Sequence, residues 1–197
     1  MTKTLFKKHQ RLLAIGLSIV AIYLITRGGW ILAKAELAQV LLERSWRGSQ
    51  TGELNLPWPW ADTWPVARLQ AAAKNVDLYV LAGTQGNALA FGPGHDMGSV
   101  LPGDKGFSVV GGHRDTHFKF LQQLTLNDEM WVSNINGAKI KLRVREITVV
   151  DTSKYPLLSA PPLFSVDGRM LTLITCYPFT DFVPGGPLRY VVTLTDF

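Results

Sequence analysis

Residues 12 to 25 read LLAIGLSIVAIYLI without one charged side chain, and the apolar character runs on through Thr26, Arg27, Gly28 and Gly29 to Trp30, Ile31, Leu32 and Ala33. Counted to Ala33 the segment has 22 residues, and about 20 mostly apolar residues carry a helix across the hydrocarbon core of a bilayer. A lone arginine near its far end snorkels to the headgroups. Lys3, Lys7, Lys8 and Arg11 precede the segment, so the positive-inside bias keeps the N-terminus in the cytoplasm and exports the rest. The competing reading is a cleaved signal peptide with residues 12 to 25 as its apolar core, for which Ala33 and Ala35 around Lys34 make a poor cleavage site. With an anchor of that size, a chain of 197 residues has room for one further domain of about 130 to 150 residues.

The formal charge of +5 is unevenly placed. Residues 1 to 47 hold eight Lys/Arg against Glu36 and Glu43, a balance of +6, which leaves the remainder of the chain at −1. Nucleic-acid binding needs a basic face on the folded domain, and this distribution argues against it. The single cysteine, Cys176, excludes an internal disulfide and leaves a lone thiol in an oxidising compartment.

Residues 36 to 45 continue the helical pattern, and residues 46 to 63 read as a linker rich in Trp, Pro and Gly. Its tryptophans suit either the headgroup layer or the flank of a folded domain. From residue 64 to 197 the pattern is one of short β-rich runs between turn signals: residues 76–81, 107–111, 130–135, 139–150, 170–175 and 189–195. Asn136-Gly137 is a hairpin signal. In the strand after it, Ile140, Leu142 and Val144 alternate with Lys139, Lys141, Arg143 and Arg145, the period of two expected of a sheet with one buried face. Helical patterning is weak apart from a short turn near residues 118–124. These features predict a mainly β domain, an antiparallel barrel or sandwich.

Cys176 ends the apolar run 170–175 and emerges into the Pro/Gly-rich segment 177–187. A lone cysteine on an apolar strand is ordinarily a small core residue. Two other residues bear on it. His113 ends another apolar run, in Val109-Val110-Gly111-Gly112-His113-Arg114-Asp115-Thr116, where the glycines permit close backbone approach. Arg189 opens the strand after the Cys176 loop, and a cation beside the sulfur stabilises a thiolate and a developing oxyanion. His117 is a second candidate acid/base, but His113 follows the apolar strand directly. His95 and Asp96 read as turn residues. His95, His113, Asp115 and His117 match no zinc-motif spacing, so no metal site is expected, and no phosphate-binding glycine motif suggests a nucleotide cofactor.

Thr172-Leu173-Ile174-Thr175-Cys176, with an arginine on the following strand and Gly112-His113 upstream of the cysteine, resembles the sortase family. The Gly-His-Arg-Asp-Thr form is most similar to the class D type and to the branch found in marine and other Gram-negative proteobacteria. The resemblance covers residues 64 to 197, including Ala-Leu-Ala-Phe-Gly-Pro-Gly-His at 88–95. It implies a closed sortase-like β-barrel with short helices behind one transmembrane helix, held single-pass in the cytoplasmic membrane with the catalytic domain periplasmic. It implies Cys176 as nucleophile, His113 as acid/base, Arg189 as oxyanion partner and Thr175 as a contact to the substrate backbone. The implied partners are an exported protein bearing a C-terminal Leu-Pro-x-Thr-Gly-like signal and an amine acceptor, without any cofactor. Some sortases bind calcium, but no ligand set carries over here. The segment 155–169 is where the groove for the signal's Leu and Pro is expected.

Two other classes remain. An L,D-transpeptidase places its histidine close before the cysteine in a Ser-His-Gly context, where this chain has Leu-Ile-Thr. A membrane-tethered β module that only binds a partner would keep Cys176 buried and inert.

Overall fold

The computed structural model describes residues 2–50, 55–154, 168–181 and 185–196. Two compact units are present, Met1–Val40 and Leu41–Phe197. In the first, helix α1 (Thr2–Ser49) presents Leu12, Leu13, Ile15, Leu17, Ile19 and Val20 outward all round its circumference. A helix apolar on every side belongs in apolar surroundings. Among the described residues, Arg11–Ser49 is the one helix long and apolar enough to cross a membrane. The hydroxyl of Thr26 donates to Ile22 O at 2.8 Å, which satisfies that polar group within the helix itself.

The second unit begins with the last turns of α1. Leu42 and Trp46, one turn apart, are buried: Leu42 packs with Leu81 and Ala88, and Trp46 lies against Tyr79 with centroids 6.2 Å apart. Ser49 Oγ accepts from the amide of Asn55 at 3.2 Å. Of the remaining tryptophans, Trp58 meets Phe91 edge-on, Trp64 packs on the core and Trp60 is 82% exposed.

Among the described residues eight strands form a closed barrel: β1 (Pro65–Ala71), β2 (Val76–Ala82), β3 (Gly94–His95), β4 (Gly106–Gly111), β5 (Glu129–Asn134), β6 (Lys139–Asp151), β7 (Arg169–Cys176) and β8 (Leu188–Thr195). Their order round the barrel is β1-β2-β3-β4-β7-β8-β6-β5. A short helix α2 (Gly86–Phe91) follows β2, and a 3-10 helix covers Lys119–Gln123. The interior is filled by alternate residues of successive strands: Leu69 of β1, Val110 of β4, Met130 and Val132 of β5, Leu142 and Val144 of β6, Leu171 and Leu173 of β7, and Val192 and Leu194 of β8. On β6, Lys139, Lys141, Arg143 and Arg145 face solvent, as the alternation requires. At the β5–β6 turn Gly137 takes φ +78°, and Asn134 and Ala138 close the hairpin.

Six of the eight strands match β-rich runs read from the sequence. The expected all-antiparallel arrangement is corrected in two places, because β2 pairs with β3 and β4 pairs with β7 in parallel. Strands β1 and β3 were hidden. β1 opens with a proline and carries Arg68 and Gln70 outward, and β3 is two residues long, too short for a period. His95 is therefore a strand residue, 1% exposed, with Nε2 2.9 Å from Val100 O, and not a solvated turn residue. Of the expected groove segment 155–169, residues 155–167 lie outside the described residues.

Gly94 sits where β3 meets the end of β2, and a Cβ there would lie 2.2 Å from the carbonyl oxygen of Gly83. Backbone cannot yield cheaply, so Gly94→Ala is expected to cost about 1 to 3 kcal/mol as an overpacked site. Gly86→Ala, with no atom within 4 Å of its Cβ position, should change the thermal midpoint little. Thermal denaturation of the detergent-solubilised chain measures both, and equal midpoints for the two variants would contradict this packing.

Candidate active site

Strand β7 pairs in parallel with β4 from Gly106↔Arg169 to Gly111↔Ile174, a constant offset of 174 − 111 = 63. The pairing runs on past the end of β4: Gly112 N donates to Ile174 O at 3.1 Å, and Thr175 Oγ1 donates to Gly112 O at 2.7 Å. Gly112, the residue before His113, is thereby held beside Thr175, the residue before Cys176. On the other side of β7 the antiparallel register pairs Cys176 directly with Arg189. Directly opposed residues point to one face with Cα atoms about 4.5 to 5.5 Å apart. Neighbouring strands lie about 4.8 Å apart, so Cys176 lies across from Arg189 at one end of the barrel, and His113 follows directly on Gly112, where the pairing with β7 ends.

Leu171, Leu173 and Thr175 of β7 point inward and are buried, which turns Ile174 and Cys176 to the outer face, where both are half-buried. A thiol there is reachable, unlike one in the core. Next to it Arg189 is also half-buried, with Nη1 donating to Leu188 O at 2.9 Å and to Gly186 O. These two carbonyls fix the guanidinium plane. Arg has five N–H donors, so a planar group held through one nitrogen still offers donors to an incoming oxygen.

His113 is exposed, and its position comes from its neighbours. Gly112 is held on β7 through both its N–H and its C=O, and a Cβ on it would lie 2.8 Å from the ring of Phe118. Phe118 is fully buried and its amide donates to His113 O at 2.9 Å. The residue before His113 must therefore be glycine for the Phe118 ring to close the turn. Sequence reading assigns the glycines to close backbone approach but does not find this partner, a ring six residues further on.

Thr175, read from the resemblance as a substrate contact, is 2% exposed, and its hydroxyl proton is directed to Gly112 O. The structure places it under the His113 segment. His117 is half-buried. Burial, followed by the nearby His113, holds its pKa below the ordinary histidine value, with Asp115 opposing. Burial thus favours the neutral imidazole at His117, a poor state for an acid. The chain leaving Cys176 is anchored by aromatic contacts: Tyr177 stacks on Tyr190 with centroids 6.0 Å apart, and Phe179 meets Tyr190 edge-on at 5.1 Å.

The comparison with known families returns the sortase domain, matched over residues 69–196. The chain belongs to the sortase family. That match runs from within β1 through β8 and takes in all of the residues just described. Among curated relatives, sortase D of Bacillus subtilis (strain 168) is 28% identical over 118 residues, which is 60% of this chain and 57% of that protein; the chain thus spans under two thirds of that relative's length. Among solved structures, sortase C-1 of Actinomyces oris is 33% identical with a TM-score of 0.53, over 68% of this chain and 72% of the other. A Clostridium perfringens sortase D5 transpeptidase, at 18% identity, matches the fold with a TM-score of 0.61 over 82% of this chain and 99% of the other.

In this sortase domain Thr175→Val keeps the shape but leaves Gly112 O without its donor. The expected loss is about 1 to 3 kcal/mol for a buried acceptor left unpaired, read as a lower denaturant midpoint, and Thr175→Ser should recover most of it. His117 gives a pH test. Its folded pKa is lowered, so the unfolded chain binds this proton first and stability falls as pH drops below the ordinary histidine value near 6.5. His117→Gln removes that dependence, and its denaturant midpoint should drop less than the parent's between about pH 7.5 and pH 5.5. Parallel pH profiles would remove His117 from the account.

Proposed function

We propose that this sortase is a membrane-anchored cysteine transpeptidase that cleaves a Leu-Pro-x-Thr-Gly-like sorting signal between Thr and Gly on another exported protein. The observation that supports this is that β7 pairs Cys176 with Arg189 on one side and on the other runs beside β4 as far as Gly112, the residue before His113. Cys176 as thiolate attacks the Thr carbonyl carbon. Arg189 holds the negative charge of the tetrahedral intermediate, and its tie to Leu188 O and Gly186 O supports that role, since a preorganised donor needs no reorganisation as charge develops. His113 as imidazolium gives its proton to the leaving amine as the C–N bond breaks. The thioester on Cys176 is then attacked by an amine, which passes its proton to neutral His113 as the C–S bond breaks and the thiolate is regenerated.

Thr175 acts beneath the site, through Gly112 O, and is assigned to holding His113. The apolar stretch of α1 anchors the enzyme in the cytoplasmic membrane as a single pass, with Lys3, Lys7, Lys8 and Arg11 before that stretch on the cytoplasmic side and the catalytic domain outside. The Gly-His-Arg-Asp-Thr sequence at 112–116 and the similarity to sortase D of Bacillus subtilis favour a class D-like enzyme.

Incubation of the full-length chain in detergent micelles with a Leu-Pro-x-Thr-Gly peptide and an amine, read by mass spectrometry, tests the proposal. The expected outcome is cleavage after Thr, an adduct on Cys176 that Cys176→Ala lacks, and a new amide to the amine. Arg189→Ala is expected to lower kcat by about a hundredfold to a thousandfold, as for loss of one oxyanion donor. No adduct across several signal variants, with a thiol that alkylates only on unfolding, would leave a tethered β module instead.

A further inference from the structure

Two glycines, Gly111 and Gly112, precede His113, and the pairing with β7 ends at Gly112. Beyond that point the histidine's own main chain is held where Phe118 N donates to His113 O, and its ring is exposed. The next residue supplies a further tie. Arg114 is half-buried and donates from Nη2 to the carbonyl oxygen of Asp181, which lies in the segment that leaves Cys176. We propose that Arg114 is a positioning residue for His113, bracing the turn after β4 against the chain beyond Cys176. The role rests on the acyl-transfer reading of Cys176 and His113 given above.

The partner is what distinguishes this arginine from a solvated surface charge. A main-chain carbonyl is a fixed point, and a charged donor to it makes a directed bond stronger than a neutral one. Asp181 is itself tied back, its amide lying 3.4 Å from Pro178 O, and Phe179 between them is packed on Tyr177 and Tyr190. His113 is thereby held on both flanks: Thr175 grips the carbonyl of the residue before it, and Arg114, the residue after it, reaches across to Asp181. Both ties end on the stretch of chain that carries Cys176. The acid/base group and the nucleophile therefore share one frame, which matters because a displacement of about 1 Å at a reacting group costs up to about a hundredfold in rate.

The experiment uses the full-length chain in detergent micelles with a Leu-Pro-x-Thr-Gly peptide and an amine, comparing Arg114→Ala and Arg114→Lys with the parent. Arg114→Ala is expected to lower kcat by about tenfold to a hundredfold, with KM changed by less than about twofold. The thermal midpoint and the alkylation rate of Cys176 should hold, and amide hydrogen exchange should quicken across residues 112–118. Arg114→Lys, which retains a charged donor, should restore part of the rate and of the protection. Parent-like kcat in Arg114→Ala, or a loss matched by a fall in thermal midpoint and faster exchange throughout the barrel, would overturn the role. If the parent itself forms no adduct with any signal, the acyl-transfer reading fails, and the role in catalysis with it. Exchange at 112–118 still reports separately whether the brace exists.

Discussion

Strand β7 runs parallel to β4 on one side and antiparallel to β8 on the other, and the rest of the site follows from those two registers. A parallel neighbour must return through a long crossover, here through β5 and β6, and so the residues before His113 and before Cys176, Gly112 and Thr175, meet at one end of the barrel though far apart in sequence. An antiparallel neighbour sets residues directly opposite one another, and so Arg189 faces Cys176. Side chains alternate along β7, with Leu171, Leu173 and Thr175 inward, which leaves Cys176 the outer face. A slip of one residue in either pairing would turn the set to opposite faces. The buried pairs Leu171↔Leu194, Leu173↔Val192 and Val110↔Leu173 oppose such a slip, because it would bring apolar side chains out of the core.

The core thus fixes where the site lies, while polar bonds at the strand ends fix how its groups sit. Strand ends leave carbonyls and amides unpaired, and a buried one is costly. Gly112 O takes the hydroxyl of Thr175, His113 O takes the amide of Phe118, and Gly186 O and Leu188 O take Arg189. Each bond answers a backbone need and also orients a residue of the proposed site. A glycine at 112 is a packing requirement of the Phe118 ring, so the turn that presents His113 is specified by an aromatic residue of the core.

Much of this was legible in the sequence because it rests on local pattern. The alternation on β6, the hairpin at Asn136-Gly137 and the apolar runs ending in His113 and Cys176 can all be read along the chain. What stayed hidden depends on pairing between distant segments. Parallel neighbours leave no mark in a single strand's period, β3 is two residues long, and the burial of His95 follows from its strand neighbours. Thr175 shows the boundary well. Its place beside Cys176 marks it as important, but only the register reveals that its inward-facing hydroxyl meets Gly112 O. Arg114 is conspicuous in sequence as the residue after His113, yet its partner lies 67 residues away and could not be inferred from spacing.

Arg189 shows why the identity of a residue in such a site is set by geometry as much as by charge. A lysine would bring the same charge to the sulfur, but as a compact ammonium on a flexible stem. With Nη1 on Leu188 O and Gly186 O, an ammonium in the same place would satisfy those carbonyls and be left with little to offer an oxyanion. A planar guanidinium divides the tasks: one nitrogen anchors the group to the loop end, and the other nitrogens still carry N–H donors. In the proposed mechanism the anchor also leaves less rotamer freedom to lose when substrate arrives, so the donors stand in place before charge develops, which is the condition under which they favour the transition state over the ground state.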